Sequence, residues 1–183
     1  MKLVSVIMTC LNGEKYLHEA LNSLFHQTYS NWELIFVNNN SDDNSGKILL
    51  SYKDHRIKYF QTDKTLNLGT VRNFAFSKCK GEFITFLDVD DIWLKMKLEK
   101  QIKKFDTKNE IDVLYTNYCK KDQNKIIKVK KNLSNGYCQK EIILSYINGV
   151  PLTAWLTLMI KKKNIDNQKY AFDENLHISS DFD

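Results

Sequence analysis

Residues 81–93 read GEFITFLDVDDIW. Phe83, Ile84, Phe86 and Leu87 form a short apolar run led by β-favouring residues, as expected of a buried strand in an α/β sheet. The run stops at Asp88, and Asp90 and Asp91 follow at once. Three carboxylates at the carboxyl end of a buried strand repel one another and lose solvation. A compensating positive charge is therefore expected, and a divalent cation is the usual partner of closely spaced oxygen ligands. Carboxyl ends of strands are also where open α/β sheets bind ligands. A plainer reading is that Asp90 or Asp91 caps a helix beginning near Trp93, although capping calls for one acid, not three.

Outward from this stretch the apolar pattern switches between periods of two and 3.6. Towards the N-terminus, Leu3–Thr9, Trp32–Val37 and Ile57–Gln61 read as strands. Between them, Leu17, Ala20, Leu21, Leu24 and Phe25 repeat at helical spacing over Glu14–His26, and Ile48, Leu49 and Tyr52 carry a helix that Ser41 would cap. Val71, Phe74, Ala75 and Lys78 mark a helix over Leu68–Lys78. Towards the C-terminus, Leu94, Leu98, Ile102 and Phe105 mark a helix with lysines on its other faces. Val113–Tyr118 is expected as a strand, 120–131 as an exposed hairpin, Gln139–Ile147 as a helix, Trp155–Ile160 as a strand and Asn175–Asp183 as a loop ending in acids. Alternating strands and helices imply a largely parallel sheet with right-handed crossovers.

Composition narrows the classes. A chain of 183 residues is read as one domain, and 43% hydrophobic with 12% aromatic content excludes a disordered chain. One proline and six glycines exclude fibrous or linker-like sequence. The net charge of +5 is mild and comes mostly from lysine; it permits an anionic substrate or a membrane surface and gives no reason for a nucleic-acid partner. Cys10, Cys79, Cys119 and Cys138 have neither metal-site nor redox spacing, and Cys10 and Cys79 lie in apolar segments, so a reduced, cytoplasmic protein is expected. The N-terminal apolar run is broken by Ser5 and Thr9 and reads as a first strand, not a signal peptide. Ile142–Ile160 carries no charge, but Asn148, Gly149 and Pro151 interrupt it, so a helix end, a turn and a new strand explain it better than a membrane span.

The polar clusters all fall where strands end: Cys10–Asn12, Asn38–Asp43 and Asp88–Asp91. Parallel strands place those ends on one edge, so the three clusters should converge there. Neither GxGxxG nor GxxxxGKS/T occurs, so phosphates bound at that edge would be held by a metal and not by a glycine-rich loop.

These clusters resemble the family 2 glycosyltransferases, which have the GT-A fold. VSVIMTCLNGEKYL (residues 4–17) is similar to that family's VSVIIPTYNxxxYL, and WELIFVNNNSDDNS (32–45) to its xELIIVDDGSTDxT. GTVRNFAFSKCKGEFITFLDVDDIW (69–93) is similar to ARNxGIxxAKGEYIxFLDSDDxW, and FDENLHISSDFD (172–183) to FDExLxxxEDxD. The resemblance holds in register from Val4 to Asp183, with a less patterned stretch from Asp106 to Leu152.

The resemblance implies a Rossmann-like GT-A domain over residues 1–183, three α/β/α layers around a mostly parallel sheet. It implies a nucleotide-diphosphate-sugar donor, usually a UDP-sugar, a saccharide or lipid-linked acceptor, and inversion at the anomeric carbon. Asp88 and Asp90 take the places of the DxD motif, with Asp88 on the ribose and both acids at a Mn²⁺ or Mg²⁺ ion that neutralises the departing diphosphate. Asp181 takes the place of the general base. Thr9, Cys10, Leu11, Asn12, Asn38, Asn39 and Arg72 take donor-binding places, Arg72 at the pyrophosphate. The chain departs from the pattern where Asn38 and Asn39 replace aspartates, where Leu11 replaces a base-stacking tyrosine, and where Ser180 replaces the glutamate before Asp181. The sequence ends at Asp183, where family members continue into helices that build the acceptor site, so the nucleotide half reads as complete and the acceptor half as missing.

Other residues carry plainer readings. Trp93 and Trp155 suit core or rim packing. His18 and His26 suit a solvated helix face, and only His177 lies near an acid cluster. The lysines of 95–104 read as a solvated face; those of 120–131 could approach an anionic lipid-linked acceptor at the inner face of a membrane, or simply line a surface hairpin. A binding module that holds a nucleotide sugar without turning it over, and a nucleotidyltransferase, are the competing functions; the latter normally has a glycine-rich phosphate segment that Cys10–Glu14 is not.

Overall fold

The computed structural model of the chain describes residues 1–108, 110–122, 125–129, 155–164 and 172. In chain order, β1 (Val4–Cys10), α1 (Glu14–Phe25), β2 (Trp32–Asn38), α2 (Ser45–Ser51), β3 (Ile57–Gln61), α3 (Leu68–Lys78), β4 (Phe83–Phe86) and α4 (Lys97–Thr107) alternate strictly. β5 (Val113–Leu114), a hairpin of β6 (Tyr118–Asp122) and β7 (Lys125–Val129), and β8 (Met159–Lys161) follow.

The main sheet runs β3-β2-β1-β4-β8-β5. β1, β2, β3 and β4 are parallel, and β8 is antiparallel to both its neighbours. Alternation along each strand supplies two apolar faces. Val4, Val6, Met8, Leu34 and Phe36 face one helical layer, with Leu17, Leu21 and Leu24 of α1, Leu49 of α2 and Leu98, Ile102 and Phe105 of α4. Ile7, Ile35, Val37, Ile84 and Phe86 face the other, with Val71 and Ala75 of α3. The three-layer arrangement that the family resemblance implies is therefore present.

Apolar burial is what holds α1. No side chain caps it, but Leu17, Leu21 and Leu24 are completely buried, each contributing about 1.5–3 kcal/mol. At the amino end of the strands, buried Ser5 donates to Glu33 Oε1 at 2.6 Å and accepts the Gly81 N–H at 2.8 Å. The approach is so close that a Cβ at Gly81 would stand 2.6 Å from Ser5 N.

Several element boundaries differ from the expectation. Ser41 does not cap the second helix, which starts at Ser45; the intervening turn is held by Asn38 Oδ1 on the Ser41 N–H and Asp43 Oδ1 on the Ser45 N–H. The fourth helix starts at Lys97, not near Trp93, so neither Asp90 nor Asp91 caps it. Ser23 Oγ accepts the Trp93 N–H, and Gln27 Nε2 donates to Leu94 O, tying this segment to the end of α1 before α4 begins. Trp155–Thr157 is a short 3₁₀ turn, and the strand expected there is confined to Met159–Lys161. The strand expected over Val113–Tyr118 is only Val113–Leu114, and the hairpin strands are Tyr118–Asp122 and Lys125–Val129, with Ile126 and Ile127 exposed. Lys97 is buried, against the expectation of a uniformly solvated lysine face. The expected helix at Gln139–Ile147, the loop Asn175–Asp183, Cys138 and His177 lie outside the described residues. Among the described residues, no helix is long and apolar enough to cross a membrane.

Candidate functional site

Sheet register brings the strand ends together. Cys10 pairs with Asn38 across β1 and β2, Asn38 with Gln61 across β2 and β3, and Ile7 with Phe86 across β1 and β4. The first two polar clusters interlock beyond that register. Asn39 N–H donates to Cys10 O at 2.7 Å, Asn12 N–H to Ser41 Oγ at 3.0 Å, and Asp42 N–H to Asn12 Oδ1 at 3.0 Å. Asn12 and Asn40 hold φ of 55° and 60°, the left-handed region that asparagine tolerates better than most residues.

The residues of these clusters divide by where their side chains go. Cys10 is buried, and burial pushes its thiol pKa up. Asn38 Nδ2 donates to Tyr59 Oη at 3.2 Å while its Oδ1 holds the Ser41 N–H at 2.9 Å. Asn39 reads the Leu66 backbone twice: Nδ2 donates to Leu66 O and Oδ1 accepts the Leu66 N–H, both at 2.9 Å. These three side chains brace the edge. Leu11 and Asn12 are exposed and Thr9 is half-buried.

The third cluster joins the same edge. Leu87 N–H donates to Ile7 O at 3.0 Å, which sets Asp88 beside the end of β1, and Asp91 N–H donates back to Asp88 O at 3.1 Å to close a turn. A Cβ at Gly13 would meet both Cys10 Sγ and the Val89 side chain at 3.0 Å, so the loop after β1 lies directly against the acidic turn. Arg72, on α3, is buried with Nη2 3.7 Å from Asp88 Oδ1. Burial, then the charges of Asp88 and Asp90, push the Asp91 carboxyl up to about 7. Burial also works against the Arg72 charge, and Asp88 supports it.

Among the described residues no group of three His, Cys, Asp or Glu side chains is placed to hold a metal ion by itself. Mg²⁺ and Mn²⁺ commonly take one or two carboxylates and complete their shell with phosphate oxygens and water. Asp88 and Asp90 fit that donor set; the Asp91 carboxyl is pushed up first by burial and only then by the charges of these two acids. A surface hollow of about 640 Å³ by Lys2, Lys80 and Asp106 lies at the opposite end of the strands and shares no residue with this edge.

Over residues 5–167 the chain matches the family description "Glycosyl transferase family 2". It belongs to glycosyl transferase family 2. An uncharacterised glycosyltransferase of Haemophilus influenzae is 32% identical, with 94% of this chain aligned to 70% of that protein. The E. coli enzyme UDP-Glc:alpha-D-GlcNAc-diphosphoundecaprenol beta-1,3-glucosyltransferase WfgD is 39% identical over 68% of this chain and 49% of its own. The crystal structure of S. aureus TarS 1–349 in complex with UDP superposes with a TM-score of 0.78 at 26% identity, covering 98% of this chain and 52% of that one. The mostly parallel sheet with flanking helices is thus the GT-A fold. This family 2 chain spans about half the length of the WfgD and TarS chains it matches.

Asp181, expected as the base, lies outside the described residues. Sequence reading missed three residues that the tertiary structure engages: Asn67, which caps α3 by accepting the Thr70 N–H at 2.8 Å, buried Lys97, and Asn73. An asparagine one residue before an apolar-periodic run signals the first. The other two have no local signal, because their partners are far away in sequence.

Proposed function

We propose that this family 2 domain binds a nucleotide-diphosphate sugar, a UDP-sugar first of all, and transfers the sugar with inversion to a saccharide or lipid-linked acceptor in the synthesis of a surface glycan. The observation that carries the proposal is the meeting of Asp88, Arg72 and the β1 and β2 ends on one edge of a GT-A sheet. The TarS structures in complex with UDP and with UDP-GlcNAc support the donor class, and the lipid diphosphate in the name of WfgD supports the acceptor class.

In this proposal Asp88 and Asp90 hold Mn²⁺ or Mg²⁺ with the donor's phosphates, and the ion supplies charge neutralisation for the departing diphosphate. Arg72 adds a fixed positive charge beneath the phosphates. Thr9, Leu11 and Asn12 line the nucleoside side, over a floor braced by Cys10, Asn38 and Asn39. Asp181 accepts the proton of the attacking acceptor hydroxyl. The new bond forms at the anomeric carbon as the bond to the diphosphate breaks, which inverts the centre. The same proposal places the chain in the cytoplasm, peripheral to the inner face of a membrane. Its support is the reduced thiols of Cys10 and Cys119 and the exposed Lys120 of the hairpin.

Calorimetry of UDP binding, followed by assays of UDP-glucose and UDP-N-acetylglucosamine hydrolysis, tests the proposal. Saturable UDP binding with slow donor hydrolysis is expected, and a chain that binds no nucleoside diphosphate would overturn it.

A further inference from the structure

Asn73 sits on α3 beside Arg72, and its carboxamide spans a sequence separation of 99 residues to meet the backbone of Phe172 at two points. Asn73 Nδ2 donates to Phe172 O at 2.8 Å, and Phe172 N–H donates to Asn73 Oδ1 at 2.9 Å. This is a two-bond reading of one residue's main chain by an amide, which uses asparagine's donor and acceptor together. The Phe172 ring is then held from two sides. It meets Phe86 of β4 edge-on, with centroids 5.9 Å apart, and the Arg72 guanidinium lies 5.7 Å from its centroid. Arg72 in turn faces Asp88 at 3.7 Å.

One connected set therefore runs from Phe172 through Arg72 to the acidic turn. Backbone recognition by Asn73 does not depend on the identity of the side chain at 172, so it acts as a latch on the chain path itself. Phe172 is nine positions before Asp181 in the sequence.

We propose that Asn73 is a positioning residue. It fastens the main chain at Phe172 against Arg72 and Phe86, so that the segment leading to Asp181 starts from a defined point beside the carboxylate turn. The consequence for catalysis rests on the donor-site proposal above; the latch itself does not. Asn73 touches neither donor nor acceptor in this scheme, so its loss should lower turnover while leaving donor binding in place.

The test uses the full chain and two variants, Asn73→Ala and the isosteric Asn73→Asp. Hydrogen–deuterium exchange is followed at the Phe172 amide and at the amides of β1 and β4. UDP affinity is measured by calorimetry, and kcat and KM by UDP-glucose and UDP-N-acetylglucosamine hydrolysis. In Asn73→Ala, exchange at Phe172 should accelerate at least about tenfold with β1 and β4 unchanged. UDP affinity and KM should stay within about threefold while kcat falls at least about tenfold. Asn73→Asp keeps the acceptor but sets an oxygen against Phe172 O, so its exchange and turnover should be close to those of Asn73→Ala. The aspartate variant decides the question by itself if the alanine variant does not fold. Unchanged exchange at Phe172 in both variants would overturn the latch whatever UDP does. UDP affinity falling in step with kcat would overturn the positioning role. A wild-type chain that exchanges slowly at Phe172 but binds no UDP would overturn the donor-site proposal and, with it, the catalytic consequence.

Discussion

Arg72 Nη2 stands 3.7 Å from Asp88 Oδ1, and the two partners are unequally covered, the arginine side chain 10% exposed and the aspartate 38%. At that distance the attraction is Coulombic and not a short charge-assisted hydrogen bond. A buried, fixed cation beside a half-open carboxylate sets the local potential at the edge.

Replacing Arg72 by methionine keeps the length and removes the charge. Because Asp88 is partly solvated, the fold should tolerate the change. UDP affinity should fall by about tenfold or more, since two phosphates then face the acidic turn with one fewer positive charge. Calorimetry beside a thermal melt separates the two effects, and unchanged affinity would remove Arg72 from the phosphate site.

Divalent metal should govern the same affinity. Two carboxylates and a diphosphate repel without a cation between them. UDP binding in Mn²⁺ or Mg²⁺ is expected to exceed binding in EDTA at least about tenfold, and Asp90→Ala should abolish the difference. Equal affinities with and without chelator would exclude a metal role for Asp88 and Asp90.

Asn39 illustrates why an amide can stand where the family resemblance has an acid. Its Nδ2 donates to Leu66 O and its Oδ1 accepts from Leu66 N–H. Asn39→Asp retains the second bond and turns the first into a repulsion between oxygens. A loss of about 1–3 kcal/mol in urea unfolding is expected, similar to that of Asn39→Ala. A neutral Asn39→Asp would mean that the Leu66 loop is not held this way.

Lys97 predicts a pH dependence. Its Nζ donates to Thr85 Oγ1 at 3.2 Å and Gln101 Oε1 at 2.9 Å and sits 4.0 Å from the Trp93 ring centroid. Those contacts do not offset burial, which pulls its pKa down to about 7. The unfolded chain keeps the proton until about pH 10.4. Between these values the unfolded state binds more protons, so stability rises with pH; the cost of burying the charge is full below pH 7 and is relieved above it. Relative to Lys97→Met, the wild type should gain about 1 kcal/mol per pH unit between about pH 7 and 9. Parallel stability curves for the two proteins would show that this amine does not titrate there.

Gly81 tests the amino end of the sheet. Any Cβ there would meet Ser5 N at 2.6 Å and Leu3 O at 2.8 Å, both backbone atoms that cannot swing aside. Gly81→Ala should cost about 1–3 kcal/mol or more by forcing β1 and β4 apart, read as a lower denaturant midpoint. A midpoint equal to wild type would contradict the close approach.

By itself, the sequence was enough to identify β1 to β4 and α1 and α3, and to place the acids at the end of β4. Those features depend on side-chain periodicity and local chemistry, which neighbouring residues express without help. Short elements were read less well. β8 is three residues long and owes its existence to pairing with β4 and β5. α4 begins at Lys97 because Ser23 and Gln27, on and just after α1, hold the segment before it. Only tertiary structure decided that Cys10, Asn38 and Asn39 turn their side chains into the scaffold, that Lys97 is buried while its neighbours Lys95 and Lys100 are solvated, and that Asn73 meets Phe172. Each of those outcomes depends on a hydrogen-bond or packing partner supplied by a distant part of the chain, and the free energy of such a contact has no local sequence signature.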